Sequence, residues 1–369
     1  MISFPPEWKS IKAVLSHDWL TGMRGGERVL ELLCEGFPDA PVYSLLHNPG
    51  TVSKTISRHR IETSCLQKVP GIFLKYRWFL PFFPWAVGRM KTPGADVLIS
   101  TSHCIAKGVK PAPGTRHLCY CFTPMRYAWI FYDEYFGKNP FKKALFKPVL
   151  NGLRQWDMKA SERVDRFVAI SEHVRSRIQA CYGRDADVVY PPVNTDFYTP
   201  AGEPEDFDLI VSALVPYKRI DLAVMAYNQT GKKLKIVGIG TDGAELRRAA
   251  GPNIEFLGWQ DDAAVRDLYR RCRCLVFPGE EDFGIVPLEA QACGRPVVAY
   301  ARGGALETVV DGVSGVFFKN QTADDLISAL EKCHQTTWNS SAIRAHAEKF
   351  SRQHFIDGFA ESIRTTLAT

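Results

Sequence analysis

Acidic residues cluster in a glycine-containing stretch that runs from Leu275 to Thr308 and reads LVFPGEEDFGIVPLEAQACGRPVVAYARGGALET. An apolar run ends at Phe277 and a polar loop follows. Glu281 lies in this loop, and seven residues separate it from Glu289. An ionised carboxylate accepts hydrogen bonds and can take two hydroxyls at once. The spacing therefore suits two carboxylates at opposite ends of an elongated, sugar-containing ligand, with Glu281 at a hexose and Glu289 at a ribose.

The residues after this loop predict a helix start. Pro287 is tolerated in a first helical turn, because the N–H group that it lacks would have no partner there. Free N–H groups and the positive end of the helix dipole bind anions such as a diphosphate. We therefore place Asp282, Phe283, Gly284 and Ile285 beside the ligand. The alternative is a helix start whose acids only complement the dipole.

Two cations and two glycines follow other predicted strands. Lys218 and Arg219 are suited to neutralise a diphosphate leaving group, the lysine as a point charge and the arginine as a fork. Gly25 and Gly26 precede a helix predicted over Glu27–Cys34, and glycine lets the backbone approach a phosphate closely. The alternatives are a solvated helix start for the cations and a plain turn for the glycines.

Short apolar runs alternate with helical stretches along the chain. The predicted strands are Lys12–Ser16, Val42–Leu45, Asp96–Ser100, His117–Cys121 and Arg166–Ile170, and then Asp208–Ala213, Leu234–Val237, Ile254–Leu257, Leu275–Phe277, Pro296–Ala299 and Gly315–Phe318. Near-continuous apolar strands separated by helices are typical of parallel sheets covered on both faces. We therefore predict an α/β protein with two Rossmann-like, doubly wound domains and a ligand in the cleft between them, at the carboxyl ends of the strands.

A proline-rich segment interrupts this alternation. Proline fixes its own φ and disfavours a helical conformation in the residue before it, so the segment is predicted to be a linker. We place the linker at 191–206, the first domain at 1–190 and the second at 207–350. The closing helix, 351–369, is expected to pack back on the first domain.

Composition limits the class of protein. A chain of 369 residues exceeds one ordinary core, and 46% hydrophobic with 23% charged residues is typical of a soluble globular protein. A net charge of +6 fits an anionic substrate or membrane surface but is too small to indicate a nucleic-acid partner. The ten cysteines lack zinc-site spacing and indicate reduced thiols. The sequence shows no secretion signal and no transmembrane run, so we expect a cytoplasmic protein.

Several motifs together resemble one known family. Glu281-x7-Glu289 is similar to the EX7E signature of the retaining glycosyltransferases of family 4, whose fold is the two-domain GT-B architecture. SALVPYKRIDLAV, at 212–224, resembles the family's donor-binding lysine segment, and HDWLTGMRGGERVLELL, at 17–33, resembles its amino-terminal glycine loop. CYCFTPMRYAW and VVYPPVNTDFY resemble segments of a branch that adds mannose to bacterial surface polysaccharides.

The resemblance implies transfer of a hexose with retention, from GDP-mannose as the favoured donor to a glycan or a polyprenyl-diphosphate-linked acceptor. Such front-side transfer depends on positioning and charge stabilisation. Glu281 and Lys218 are therefore the expected catalytic residues, and no metal or other cofactor is expected. Phe122 stands where many members carry a histidine near the sugar, and Ala213 where relatives often have a donor-binding arginine. His103, the nearest alternative polar group to Phe122, is assigned the third catalytic role.

Three alternatives stay open. In the first, the donor is UDP-glucose or UDP-N-acetylglucosamine. In the second, the protein is a non-hydrolysing nucleotide-sugar epimerase, which needs more acid and base residues than the Glu281 loop offers. In the third, the protein binds a nucleotide sugar without catalysis, which Phe122 in place of histidine would favour.

An aromatic segment predicts contact with a membrane surface. Residues 73–91 read FLKYRWFLPFFPWAVGRMK, with seven aromatic residues and four cations. The segment is too short and too charged to span a bilayer, but its composition suits the interface. A second basic and apolar patch lies at 138–147. We expect peripheral contact with an anionic membrane at the inner face of the plasma membrane. The alternative is a core segment with snorkelling cations.

Overall fold

The computed structural model of the protein describes residues 2–129 and 140–368, and the side chains of 140–146 are outside this description. Contacts between residues divide the chain into two compact units. The first is Met1–Tyr190 together with Phe355–Thr369, and the second is Pro191–His354. The proline-rich segment at 191–206 therefore belongs by its contacts to the second unit.

The first unit contains a seven-stranded parallel sheet with strand order β3-β2-β1-β4-β5-β6-β7. Its strands are β1 Ala13–His17, β2 Val42–Ser44, β3 Ile61–Thr63, β4 Val97–Ser102, β5 Arg116–Cys121, β6 Arg166–Ala169 and β7 Asp187–Val188. Every residue of β1 and β4 is buried, as expected of central strands covered on both faces. The chain builds outward in one direction from β1 and in the other from β4, so the sheet has its topological switch point between these two strands.

Helices connect these strands. The α-helices are α1 Gly25–Gly36, α2 Lys54–Ser57, α3 Ile72–Lys75, α4 Phe83–Gly88, α5 Arg126–Trp129, α6 Pro140–Ser161 and α7 Glu172–Tyr182. Short 3₁₀ helices cover Pro6–Lys9, Cys65–Lys68, Tyr76–Phe82 and Ala106–Gly108.

The second unit contains a six-stranded parallel sheet with strand order β10-β9-β8-β11-β12-β13 and a switch point between β8 and β11. Its strands are β8 Asp208–Val211, β9 Leu234–Val237, β10 Ile254–Gly258, β11 Leu275–Phe277, β12 Val297–Tyr300 and β13 Gly315–Phe318. Its helices are the 3₁₀ helix Pro216–Lys218 and α8 Ile220–Thr230, α9 Gly243–Ala249, α10 Asp262–Arg271, α11 Ile285–Ala292, α12 Ala305–Thr308, α13 Ala323–Gln335 and α14 Ser340–Glu348.

The last helix, α15, covers Arg352–Ala368. Phe355 and Phe359 on this helix meet the buried ring of Tyr120 on β5 edge to face, with ring centroids 5.5 and 5.6 Å apart. Aromatic pairs in this geometry add to the stability gained from burial. From Phe355 onward the helix is therefore part of the first unit.

The predicted fold class is confirmed, and all eleven predicted strands are present. The sequence did not predict β3 and β7, because three and two residues are too few to show an apolar pattern. Helix α1 begins at Gly25, two residues before the predicted start at Glu27. Helix α11 begins at Ile285, so Pro287 lies in its first turn, as predicted, and Glu289 lies in its second turn. None of the described helices is long and apolar enough to cross a bilayer.

Candidate functional site

Two predicted catalytic residues meet at the carboxyl edge of the second sheet. Because β8 and β11 are neighbours at the switch point, the loops that follow them lie side by side. Lys218 ends the 3₁₀ helix after β8, and Glu281 lies in the loop after β11. Lys218 Nζ forms an ion pair with Glu281 Oε1, and the two side chains are 17% and 15% exposed. The pair is therefore partly shielded but still open to a ligand.

Gly279 allows this approach. A Cβ atom at this position would lie 2.9 Å from both Lys218 Cα and the carbonyl oxygen of Tyr217, which is closer than Cβ atoms come to backbone. Only glycine therefore fits where the two loops cross.

A second pair of glycines fixes the backbone at Glu281. Gly303 and Gly304 follow β12, and the Gly304 amide donates to the Glu281 carbonyl at 2.8 Å. A Cβ atom on Gly304 would lie 2.2 Å from Phe283 Cα, and Gly303 has a φ of 62°. The sequence analysis gave these glycines no role. The sequence feature that could have revealed them is a Gly-Gly pair between a buried strand and the next helix.

The four residues after Glu281 have different surroundings. Asp282 and Phe283 are buried, and the Phe283 ring packs against Phe350 at a centroid distance of 5.9 Å. Gly284 has a φ of 95° and forms the N-cap of α11, which Ile285 begins. The structure thus places all four residues at the loop-to-helix junction but gives Phe283 a packing role.

A buried tyrosine orients Glu289. The Tyr269 hydroxyl donates to Glu289 Oε2 at 3.0 Å. Burial and the nearby charge of Glu289 raise the pKa of Tyr269 well above its ordinary value, so the phenol keeps its proton and donates. The sequence analysis did not single out Tyr269, which lies on α10 at an ordinary core position.

Arg219 is engaged elsewhere. Its guanidinium contacts Asp221, with Nε to Oδ1 at 3.1 Å, and donates to the side-chain oxygen of Gln321 at 3.0 Å. The Gln321 amide in turn donates to the carbonyl oxygen of Pro278 at 3.0 Å. Arg219 therefore supports the loop after β11 through Gln321, and its described contacts do not include Glu281.

Two large apolar side chains are exposed at the same edge. Ile239 follows β9, and Trp259, which is 70% exposed, follows β10. These strands lie one and two positions from β8, about 5 and 10 Å away. The edge therefore presents, in order, a carboxylate and ammonium pair, an aliphatic side chain and an indole.

A cluster of polar groups also lies at the switch point of the first sheet, and Asp18 is at its centre. This residue follows β1, and its side chain is fully buried. Its carboxylate accepts hydrogen bonds from four consecutive backbone amides, those of residues 103–106, at 2.6 to 3.0 Å. Asp18 therefore fixes the turn that follows β4.

The same carboxylate holds His103. Asp18 Oδ2 lies 2.7 Å from His103 Nδ1. Burial alone would raise the pKa of Asp18, but the charge and the hydrogen bond of His103 lower it well below its ordinary value. An ionised carboxylate only accepts, so Nδ1 carries the proton, and in a neutral ring Nε2 is then an acceptor. The sequence analysis named His103 but missed Asp18.

Gly25, Gly26 and Phe122 lie at the carboxyl edge of the first sheet. A Cβ atom at Gly26 would lie 3.2 Å from the Phe122 ring and 3.3 Å from the His17 ring, whereas a Cβ atom at Gly25 would meet nothing. Glu27 Oε2 accepts from the Arg24 amide at 3.1 Å and so satisfies one backbone donor at the start of α1. Gly26 therefore allows close packing against Phe122, and Gly25 leaves open space at the helix start.

One group with metal-ligand chemistry lies at the opposite edge of the second sheet. Asp208, Cys274 and His334 place three potential ligand atoms within 4.8 Å of one another. Lys232 Nζ lies 3.1 Å from His334 Nδ1, and because an ammonium only donates, Nδ1 accepts and Nε2 carries the proton. Nε2 then donates to Asp208 at 3.0 Å, and the Tyr227 hydroxyl donates to the same carboxylate at 2.6 Å. Both ring nitrogens of His334 are therefore engaged in hydrogen bonds, and neither offers a metal a free lone pair. The group is a hydrogen-bonded network.

Similarity to solved structures identifies the architecture. The chain superposes on HepE of Anabaena in complex with UDP-glucose with a TM-score of 0.71 at 18% identity, covering 96% of this chain and 100% of the other. It superposes on sucrose-phosphate synthase of Thermosynechococcus elongatus with a TM-score of 0.70 at 16% identity, covering 97% and 99%. Two parallel-sheet α/β units with these neighbours define the GT-B fold.

Two family models match the chain, one on each of its two parts. Residues 23–197 match the model described as Glycosyltransferase Family 4, and residues 196–350 match the model described as Glycosyl transferases group 1. Between them, the two segments cover residues 23–350. The chain is thus similar to a glycosyltransferase model in each of its two parts.

Curated relatives are similar over part of their length. An uncharacterized glycosyltransferase of Methanocaldococcus jannaschii is 30% identical over 172 residues, which are 45% of this chain and 49% of the relative. The D-inositol 3-phosphate glycosyltransferase of Gordonia bronchialis is 29% identical over 245 residues, 56% of this chain and 53% of the relative. The chain spans about half the length of the curated relatives it matches.

Proposed function

We propose that the protein is a retaining glycosyltransferase that moves a hexose from a nucleotide-diphosphate sugar to a glycan or a polyprenyl-diphosphate-linked acceptor, in the synthesis of bacterial surface polysaccharide. The observation that carries the proposal is the Lys218–Glu281 ion pair at the switch point of the domain that matches Glycosyl transferases group 1. An ammonium and a carboxylate at this edge suit a diphosphate and a sugar ring, respectively.

In the proposed reaction, the bond from the sugar C1 to the diphosphate oxygen breaks and a bond from C1 to the acceptor oxygen forms on the same face. The proton of the acceptor hydroxyl passes to the departing phosphate oxygen. Lys218 stabilises the negative charge that grows on the diphosphate, and Glu281 binds the sugar hydroxyls and stabilises positive charge on the ring. Charge stabilisation of this kind is often the largest contribution to catalysis.

The first unit is proposed to bind the acceptor. His103, fixed through Nδ1 by Asp18, presents Nε2 as an acceptor for the hydroxyl that will attack. The Phe122 side chain cannot form hydrogen bonds, so we assign the polar contact with the acceptor to His103.

The second unit is proposed to bind the nucleotide along its carboxyl edge. Lys218 and the N-terminus of α11 bind the diphosphate, and Glu289, oriented by Tyr269, binds the ribose. Gly284 and Ile285 contribute the helix start, with Asp282 and Phe283 holding it, and Arg219 supports the loop. The exposed indole of Trp259 provides a surface on which a base can stack. Gly25 and Gly26 are proposed to approach the donor phosphate through their backbone.

GDP-mannose is the proposed donor, because CYCFTPMRYAW and VVYPPVNTDFY resemble the mannose-transferring branch. A UDP-sugar is the second candidate, and the complex of HepE with UDP-glucose favours it. A ligand that binds only the folded state raises the melting temperature. A thermal-shift panel of GDP, UDP, TDP and their sugars should therefore show the largest shift with GDP-mannose. A shift with UDP-sugars and none with GDP or GDP-mannose would reverse the donor assignment, and no shift with any nucleotide would argue against a transferase.

We propose that the reaction needs no metal or other cofactor, since Lys218 and backbone amides supply positive charge at the diphosphate. EDTA should then leave turnover unchanged. Strong inhibition by EDTA that added Mg²⁺ or Mn²⁺ reverses would contradict this part of the proposal.

The proposed location is the inner face of the plasma membrane, with peripheral contact through residues 73–91. The predicted patch at 138–147 lies largely outside the described residues, and Lys147 at its end is exposed. Replacing Trp78 and Trp85 with serine should abolish sedimentation with anionic vesicles and leave nucleotide binding unchanged. Loss of folding in this variant would instead show that the two tryptophans are core residues.

A further inference from the structure

The segment between β3 and β4 has one buried and one exposed apolar face. Phe83 is buried, and Phe79 and Leu80 pack against the same core cluster. Leu74 and Trp78 are 88% and 83% exposed, and Phe82 and Trp85 are also exposed. Monomeric proteins rarely expose several large apolar side chains together unless the patch binds something.

A polar pocket of about 370 Å³ adjoins this face. Its charged lining comes from Arg60 and Glu62 at β3 and from Arg89 and Lys91 after α4. Arg60 forms an ion pair with Glu62 at 2.6 Å. Three cationic side chains and one carboxylate therefore give the pocket a positive balance.

Arg89 connects the pocket to the aromatic face. Its guanidinium carbon lies 5.0 Å from the centre of the exposed Trp85 ring while the residue also lines the pocket. Guanidinium groups bind phosphate oxygens as a fork, and indole rings favour the interface between lipid and water. One continuous surface thus offers phosphate-binding and interface-seeking groups side by side.

We infer that this pocket binds the phosphate headgroup of an anionic phospholipid while Trp78, Phe82 and Trp85 enter the interfacial layer of the bilayer. The inference rests on the membrane contact put forward with the proposed function and names the lipid chemistry that it recognises. Stable membrane attachment generally needs two signals, and here the aromatic side chains and the cationic pocket supply them.

The test compares two double variants with equal loss of charge. Arg89→Gln with Lys91→Gln changes the pocket, and Arg248→Gln with Lys319→Gln removes two exposed cations from the second unit. Each is sedimented with phosphatidylcholine vesicles with and without phosphatidylglycerol. At about fivefold per cation near an anionic surface, the pocket variant, which loses two cations, should lose roughly 30-fold in binding to phosphatidylglycerol vesicles. The control variant should lose less than about threefold, and the weak binding to pure phosphatidylcholine should not change.

Each other outcome contradicts a defined part of the inference. Equal losses in the two double variants would show a diffuse charge effect and no headgroup pocket. Stabilisation of the wild-type protein by glycerol 3-phosphate, without vesicle binding, would assign the pocket to a soluble phosphate ligand. If the variant Trp78→Ser with Phe82→Ser binds vesicles as well as the wild-type protein does, the aromatic side chains are not part of the lipid-binding surface. The shift with nucleotides is measured on the same samples, so failure of the glycosyltransferase proposal is seen independently.

Discussion

Each of the two sheets carries a carboxylate at its switch point, and the two carboxylates are used differently. Asp18 follows β1, is fully buried and is occupied by four amides and His103. Glu281 follows β11, is partly exposed and pairs with the side chain of Lys218. Backbone amides in a fixed turn cannot leave, whereas a lysine side chain can turn from a carboxylate to an arriving diphosphate. The comparison indicates that Asp18 holds structure and that Glu281 meets ligand.

The largest expected effect is that of Glu281→Gln. The variant keeps the shape of the side chain but removes the charge that stabilises an oxocarbenium-like ring. We expect kcat to fall by about 10³-fold, the upper range for loss of one preorganised electrostatic contact. Steady-state kinetics with circular dichroism as a folding control measures this. A kcat within a few fold of wild type would move the sugar away from Glu281.

Lys218→Ala should be the next most damaging change. Loss of the ammonium leaves the diphosphate charge less stabilised, so we expect kcat to fall by about 10²-fold while the fold is kept, since Lys218 lies at the sheet edge. Lys218→Arg, which keeps the charge, is the matched control and should recover part of the activity. Near-normal turnover of the alanine variant would remove Lys218 from the site.

His103→Gln and Asp18→Asn test the first edge. If His103 contacts the acceptor and Asp18 acts on catalysis by holding His103 and its turn, each change should lower kcat by about 10- to 100-fold. The double variant should then be no worse than His103→Gln alone, because both changes act through one side chain. Additive losses would show that the two residues act separately.

Glu289→Gln should affect binding more than turnover. Its assigned partner is the ribose, which is bound equally in the ground state and the transition state, so KM for the donor should rise by about tenfold with kcat nearly unchanged. Tyr269→Phe removes the group that orients Glu289 and should give a smaller change in the same direction. A fall in kcat without a change in KM would show that the two glutamates are assigned the wrong way round.

The smallest effect concerns stability in acid. The pKa of Asp18 is lower in the folded protein than in the unfolded chain, so its contribution is complete above the ordinary aspartate pKa of about 4 and is lost as the pH falls through the folded value. The melting temperature of the wild-type protein should therefore fall more between pH 7 and pH 3 than that of Asp18→Asn. Parallel curves for the two proteins would show that Asp18 does not carry this charge.

Much of the fold was readable from the sequence, because buried parallel strands form apolar runs that need no knowledge of their neighbours. The edge strand β3 was not, since its three residues are only partly buried. The pairing of Lys218 with Glu281 depends on two strands becoming neighbours, and Gly279 shows its purpose only when the two loops cross.

Asp18 was missed for a related reason. Its partners are backbone amides at 103–106, and backbone groups have no signature in a sequence. The partners of Arg219 were also not predicted, since its charge suggested a ligand contact and gave no sign that Asp221 and Gln321 hold its guanidinium. The aromatic segment at 73–91 has one face in the core and one exposed face, and this division could not be read from its composition.

The most direct test of the account is calorimetric binding of GDP and GDP-mannose to the wild-type protein and to Glu281→Gln. A carboxylate beside the diphosphate site repels a bare nucleotide and regains that loss only through the sugar hydroxyls. We therefore expect the variant to bind GDP as well as or more tightly than wild type and to lose the preference for GDP-mannose over GDP. Equal weakening of both ligands would contradict the assignment of Glu281 to the sugar, and with it the proposed arrangement of the donor.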